Sequence, residues 1–139
     1  MRIWHKDLIS LLPRQQLLGQ WRECCLIAKQ IAENGTPNHL LVNKVVEYPE
    51  NMFNSYTNYV YMEMVRRGYR ADWHLFQKHR CRADEILDCS VEKKMIFPGW
   101  HNDRYLAQCY NNLEEKYDCG GIPEEEWQKV ASKYFDMMF

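Results

Sequence analysis

The sequence predicts an all-α fold, a single compact domain of three main helices joined by long irregular connections. Three observations lead there. Apolar residues recur at helical spacing over three long stretches, strand-like alternation is scarce, and Pro, Gly and Asn stand where helices begin and end. A chain of 139 residues is long enough for a real core, and 46% hydrophobic with 27% charged residues excludes a disordered tail. No internal repeat or low-complexity run divides it.

Residues 7–34 read as helix, with Asp7 as N-cap and Gly35 at the position where a glycine closes a helix. Proline is tolerated only in a first turn, so Pro13 splits this stretch into an opening turn and a long helix from about Arg14. Leu17, Trp21, Cys24, Ala28 and Ile31 form its apolar stripe. Residues 36–52 hold Pro37 and Pro49 and show little periodicity, so they read as a long irregular connection. The second helix is expected from about Asn54 to Arg67, closed by Gly68, with Phe53, Tyr56, Val60 and Met64 inward. Tyr69 to Pro98 reads as short helical pieces and loops. The third helix runs from about Asn102, its cap, to Asp118, ended by Gly120 and Gly121, and its stripe is Leu106, Cys109 or Tyr110, Leu113 and Tyr117. Pro123 opens a last short helix, Glu124 to about Tyr134, with glutamates at its positive end.

The charge is uneven. Residues 1–82 carry 12 Lys+Arg against 7 Asp+Glu, and residues 83–139 carry 6 against 12. A basic half in a chain of net charge −1 fits a polyanion site confined to one face. Arg66, Arg67, Arg70, Arg80 and Arg82 with Tyr69 and Trp73 mix charge with stacking surfaces, as nucleic-acid faces do, although solvated arginines over packed rings explain them more simply. The six cysteines contain no Cys-x-x-Cys pair, and His74, His79 and Cys81 match no familiar ligand spacing. No metal or organic cofactor is therefore expected. No apolar run approaches a membrane span and the amino-terminal residues lack a signal peptide's apolar stretch, so the expected location is the cytoplasm.

Chemistry is best sought on the exposed side of the long helix. Gln15, Gly19 and Arg22 share one face, and Gln16, Gln20 and Glu23 form the adjacent row. Gly19 costs ~1 kcal/mol against alanine in a helix, and it leaves room beside Arg22 and Glu23 for a ligand, for the amino-terminal segment, or for another helix.

The run from Leu8 to Glu23, ending in Trp21-Arg22-Glu23 and preceded by Arg2-Ile3, resembles the opening of the pyrimidine-dimer DNA glycosylases of the phage endonuclease V type. Glu63 to Tyr69, with its Met-Val-Arg-Arg-Gly-Tyr run, resembles the end of that family's second helix, and His101 to Lys116, with Leu113-Glu114-Glu115-Lys116, resembles its third. The matches fall in order and cover about half of the chain. The resemblance implies a DNA-repair glycosylase and AP lyase acting on double-stranded DNA that carries a pyrimidine dimer or an abasic site. In that family the nucleophile is the chain's own α-amine, which attacks C1′ of the damaged nucleotide, displaces the base, forms a Schiff base with the opened sugar and nicks the strand by elimination. An α-amine titrates near ~8, so a useful fraction is neutral where lysine is almost wholly protonated.

Carried over by motif, Met1 supplies the amine and Glu23 the carboxylate that stabilises the cationic sugar and moves protons. Arg2, Arg22 and Lys116 fall to phosphate, with Gln15, Gln16 and His101 as further DNA contacts. Arg2 is too large for the usual removal of the initiator methionine, and the Arg-Ile pair stands one position earlier than in the family; together these place the Met1 amine where the family's amine sits. The family has histidine where Gln16 stands and basic residues where Leu26 and Asn112 stand, which implies fewer phosphate contacts. The alternative is a non-catalytic helical module of the same fold that binds nucleic acid or protein, and a structural interaction protein built on the aromatic surfaces is the remaining class.

Overall fold

A computed structural model describes residues 1–139. It is all helical, without a strand, but it is not a three-helix fold. Five α-helices form: α1 (Arg14–Asn34), α2 (Glu50–Arg66), the single turn α3 (His74–Gln77), α4 (Asp103–Asp118) and α5 (Glu124–Met138). Three 3-10 helices join them, at Lys6–Leu11, Asn43–Glu47 and Lys93–Met95.

The departures have local causes. The opening segment is a 3-10 helix whose cap is His5, accepting from the Asp7 N–H at 3.0 Å, so Asp7 caps nothing. Pro13 ends it, and α1 begins at the next residue. Gly35, at φ 79°, then stops α1 by returning its N–H to the Ile31 carbonyl at 2.7 Å. Pro49 stands immediately before α2, whose first residue is Glu50 and not Asn54. A proline at a helix entrance sacrifices no needed donor, and here it begins the helix instead of extending the loop. In the preceding connection Asn43–Glu47 is helical, with Val45 buried beneath it.

The fourth long helix is the main correction. α5 runs to Met138 because Trp127, Val130, Ala131, Tyr134 and Met138 continue one apolar stripe onto the core. Its rings stack on α4, with centroids 3.8 Å apart for Tyr110 and Tyr134 and 4.9 Å for Tyr117 and Trp127. It also serves α1, whose Arg14 N–H has no local cap and donates to Glu126 Oε1 at 2.6 Å. A carboxylate from α5 thus meets the positive end of α1.

One buried cluster, reaching from Ile3 to Val130, holds these elements together. Glu63 of α2 is buried and pairs with Arg66 and Arg67; Arg67 also donates to the Leu12 and Ser10 carbonyls at 2.8 and 3.1 Å, tying α2 to the opening 3-10 helix. Arg80 lies over the Phe53 and Phe76 rings and donates to Asn54. No helix is long and apolar enough to cross a membrane.

Candidate functional site

Extended backbone carrying no ladder must find its partners among side chains. Residues 2–4 find theirs on α1, α2 and α4. Arg2 N–H donates to Glu23 Oε2 at 3.1 Å. Gln20, buried on α1, donates from Nε2 to the Arg2 carbonyl at 3.0 Å and accepts at Oε1 from Trp4 N–H at 2.8 Å. Tyr56 of α2 donates its hydroxyl to the Trp4 carbonyl at 2.6 Å and also reaches Gln20 Oε1. Tyr105 of α4 donates to the Ile3 carbonyl. The segment ends at Lys6, whose N–H donates to His101 Nδ1 at 3.0 Å and whose Nζ donates to the Lys94 and Ile96 carbonyls. Three helices therefore fix the direction in which the chain emerges at Met1.

It emerges into a cleft of about 240 Å³ lined by Met1, Arg2, Trp4, Glu23, Asn112 and Lys116, with Leu41 as one wall. The Met1 nitrogen is three bonds from the Arg2 nitrogen, so it lies within roughly 7 Å of the Glu23 carboxylate. The Arg2 guanidinium turns back over Trp4, 5.5 Å from the ring centroid, and approaches Cys109 of α4. Glu23 is the only carboxylate in the lining. An amine, a carboxylate and two side-chain cations thus share a small open space. Such a set can hold an anionic backbone, stabilise positive charge on a bound group and exchange a proton.

Of the residues singled out by sequence, Met1, Arg2, Glu23 and Lys116 meet in this cleft. Arg22 and Gln15 lie exposed on the neighbouring face of α1. Gln16 is half-buried two helical turns before Glu23, and its Oε1 has no partner within the protein. His101 is not brought to the cleft. It is buried, stacked on His5 with centroids 5.0 Å apart and packed against Trp100 and Phe97. Burial, with His5 and Lys6 alongside, pushes its pKa down to about 2, so it is a neutral acceptor for Lys6. A Cβ added to Gly19 would meet nothing within 4 Å, so no helix packs there.

Tyr56 and Tyr105 carry no chemical signal in the sequence, and Gln20, expected in the row beside Glu23 on the exposed side of α1, is instead buried. Gln20 did carry a signal, because it stands between Leu17 and Cys24 on the buried stripe, where an amide must find partners. The tyrosines read as ordinary core rings.

Residues 1–77 match a family model described as pyrimidine dimer DNA glycosylase. No curated protein and no solved structure matches the chain. The matched span carries the clamped segment, α1 and α2; it ends before α4, so Asn112 and Lys116 lie outside it.

Proposed function

Because the chain belongs to the pyrimidine dimer DNA glycosylase family, we propose that it is a DNA-repair glycosylase and AP lyase acting on a damaged nucleotide in duplex DNA. The proposal takes residues 1–139 as one endonuclease V-like domain with a free amino group on Met1. The neutral amine attacks C1′, and the base leaves with the electron pair of the glycosidic bond. Loss of a proton from nitrogen and opening of the sugar ring give the Schiff base. Removal of a C2′ proton then expels the 3′ phosphate, and water releases the amine. Glu23 stabilises the cationic sugar and carries protons. Arg2 and Lys116 hold phosphates beside the cleft, with Arg22, Gln15 and Gln16 along the outer side of α1.

The observation that carries this reading is the Arg2 N–H to Glu23 bond at 3.1 Å. It sets the carboxylate one residue from the chain's first amine, in a cleft with Lys116 opposite. A carboxylate placed only to pair with a surface arginine would not be aimed at backbone.

Incubation with abasic-site duplex and borohydride tests it. The expected product is a covalent adduct that peptide mapping places on the Met1 nitrogen. An adduct on an internal lysine, or none from folded protein that binds the duplex, leaves the non-catalytic binding module as the better account.

A further inference from the structure

The turn between α1 and α2 presents two leucines to solvent beside the cleft. Leu40 is 93% exposed and Leu41 53%. Single exposed leucines are common, but this pair is held outward by a built turn. Val42 and Asn43 donate their N–H groups to the His39 carbonyl at 3.0 and 2.9 Å, and Leu41 N–H reaches His39 Nδ1. Asn43 Oδ1 accepts from His39 N–H at 2.8 Å, while Asn38 takes the left-handed conformation at φ 55°. Pro37, Val42 and Val45 are buried beneath as anchors. The apolar tip stands on a fixed base.

Its position says what it would meet. Leu41 is a wall of the Met1 and Glu23 cleft and also of a second cleft, of about 340 Å³, on its other side. Lys44 and Arg104 line that second cleft with Trp100 and Tyr105, and it contains no carboxylate. The leucine ridge therefore has Arg2 and Lys116 on one flank and Lys44 and Arg104 on the other, against Glu23 alone. In a chain of net charge −1, that concentration of cations fits a polyanion running across the ridge.

We propose that Leu40 and Leu41 form a wedge that enters the base stack of duplex DNA next to the nucleotide held in the Met1 cleft, while Lys44 and Arg104 hold phosphates beyond it. The proposal rests on the glycosylase reading for the occupant of the first cleft. Apolar side chains between base steps unstack the duplex locally, and burying two leucines supplies stabilisation of the same order as the unstacking costs. The wedge opens the step through which a nucleotide leaves the helix for C1′ attack.

The experiment uses the full chain, Leu40→Ala, the Leu40→Ala/Leu41→Ala double variant, and a duplex with a non-cleavable abasic analogue beside 2-aminopurine. The wild type is expected to raise 2-aminopurine fluorescence on binding, and the double variant to lose most of that rise. On cleavable abasic DNA, borohydride trapping by the double variant should fall about tenfold on duplex and stay within about twofold on single strands, where no stack must be opened. Leu40→Ala changes a side chain outside the core, so its partial effect on the duplex is expected even if the double variant folds poorly. Duplex binding by the wild type without a fluorescence rise, or equal loss on duplex and single strand, overturns the wedge. Loss of self-association as the only effect assigns the leucines to a second copy of the chain and also overturns it. Trapping at Met1 with no difference between variants overturns the wedge while the glycosylase reading stands; fluorescence without trapping leaves the wedge and removes the chemistry.

Discussion

Glu23 has both a structural and a chemical part in the proposed site, and one substitution separates them. Glu23→Gln retains an acceptor for Arg2 N–H, so the clamp at 3.1 Å survives while the charge is lost. Strand cleavage at abasic sites should fall by at least ~100-fold, with duplex affinity within about twofold, because the charge is needed mainly in the transition state. Cleavage near the wild-type rate would reduce Glu23 to an anchor for backbone. Gln20→Leu tests the clamp from its other side. It strips partners from the Arg2 carbonyl and the Trp4 N–H, and unfolding in urea should show a loss of roughly 2–4 kcal/mol. A smaller loss would mean that Tyr56 and Tyr105 hold the segment unaided. The motif marks Met1, Arg2, Glu23 and Lys116, and these four line one cleft. It did not reveal that Gln20 joins residues 2–4 to α1, since that contact depends on how the segment folds back. His101, carried over by motif as a DNA contact, is instead buried by neighbouring rings that the motif does not describe.

At the scale of elements, α1 was readable throughout, from the proline at its start to the glycine at its end, because both signals are local. Pro49 was harder, since the same residue that punctuates a loop also begins a helix, and here α2 starts directly after it. The full length of α5 is carried by the helical spacing of Trp127, Val130, Ala131, Tyr134 and Met138; what periodicity cannot report is that its rings stack on α4 across a turn. Gly19 is the one weak point inside α1. A methyl there meets nothing within 4 Å, so Gly19→Ala should stabilise the chain by roughly 0.5–1 kcal/mol through helix propensity and a less disordered unfolded state. Urea unfolding at neutral pH measures it. A loss of stability would show that some group occupies the space beside Arg22 and Glu23.

For the whole molecule, the charge asymmetry along the sequence described composition and not surface. Lys116 and Arg104 come from the acidic half yet stand with Arg2 and Lys44 of the basic half around the two clefts. Among the contacts that join the halves is the buried stack of His5 and His101, and it should make the fold sensitive to acid. Burial lowers the pKa of both rings, and His101 falls to about 2 from an ordinary 6.5. The unfolded chain takes up protons below about pH 6.5 that the folded chain refuses. The contribution is therefore complete above that pH and declines as pH drops toward the folded value, at ~1.4 kcal/mol per pH unit for one histidine. His101 alone should cost about 2 kcal/mol between pH 7.5 and pH 5, with His5 adding in the same direction. His101→Asn keeps an acceptor for Lys6 N–H and removes the titrating ring. Its stability at pH 7.5 should be lower, from lost packing, but its decline toward pH 5 should be shallower than the wild type's. Parallel declines in the two proteins would move the acid sensitivity elsewhere. Because the ring takes up its proton only once its contact with Lys6 N–H is broken, acid should favour states in which residues 2–6 are open. Hydrogen-exchange protection at the Trp4 and Lys6 amides, measured against the intrinsic rate at each pH, should therefore fall toward pH 5 before that of α2 does.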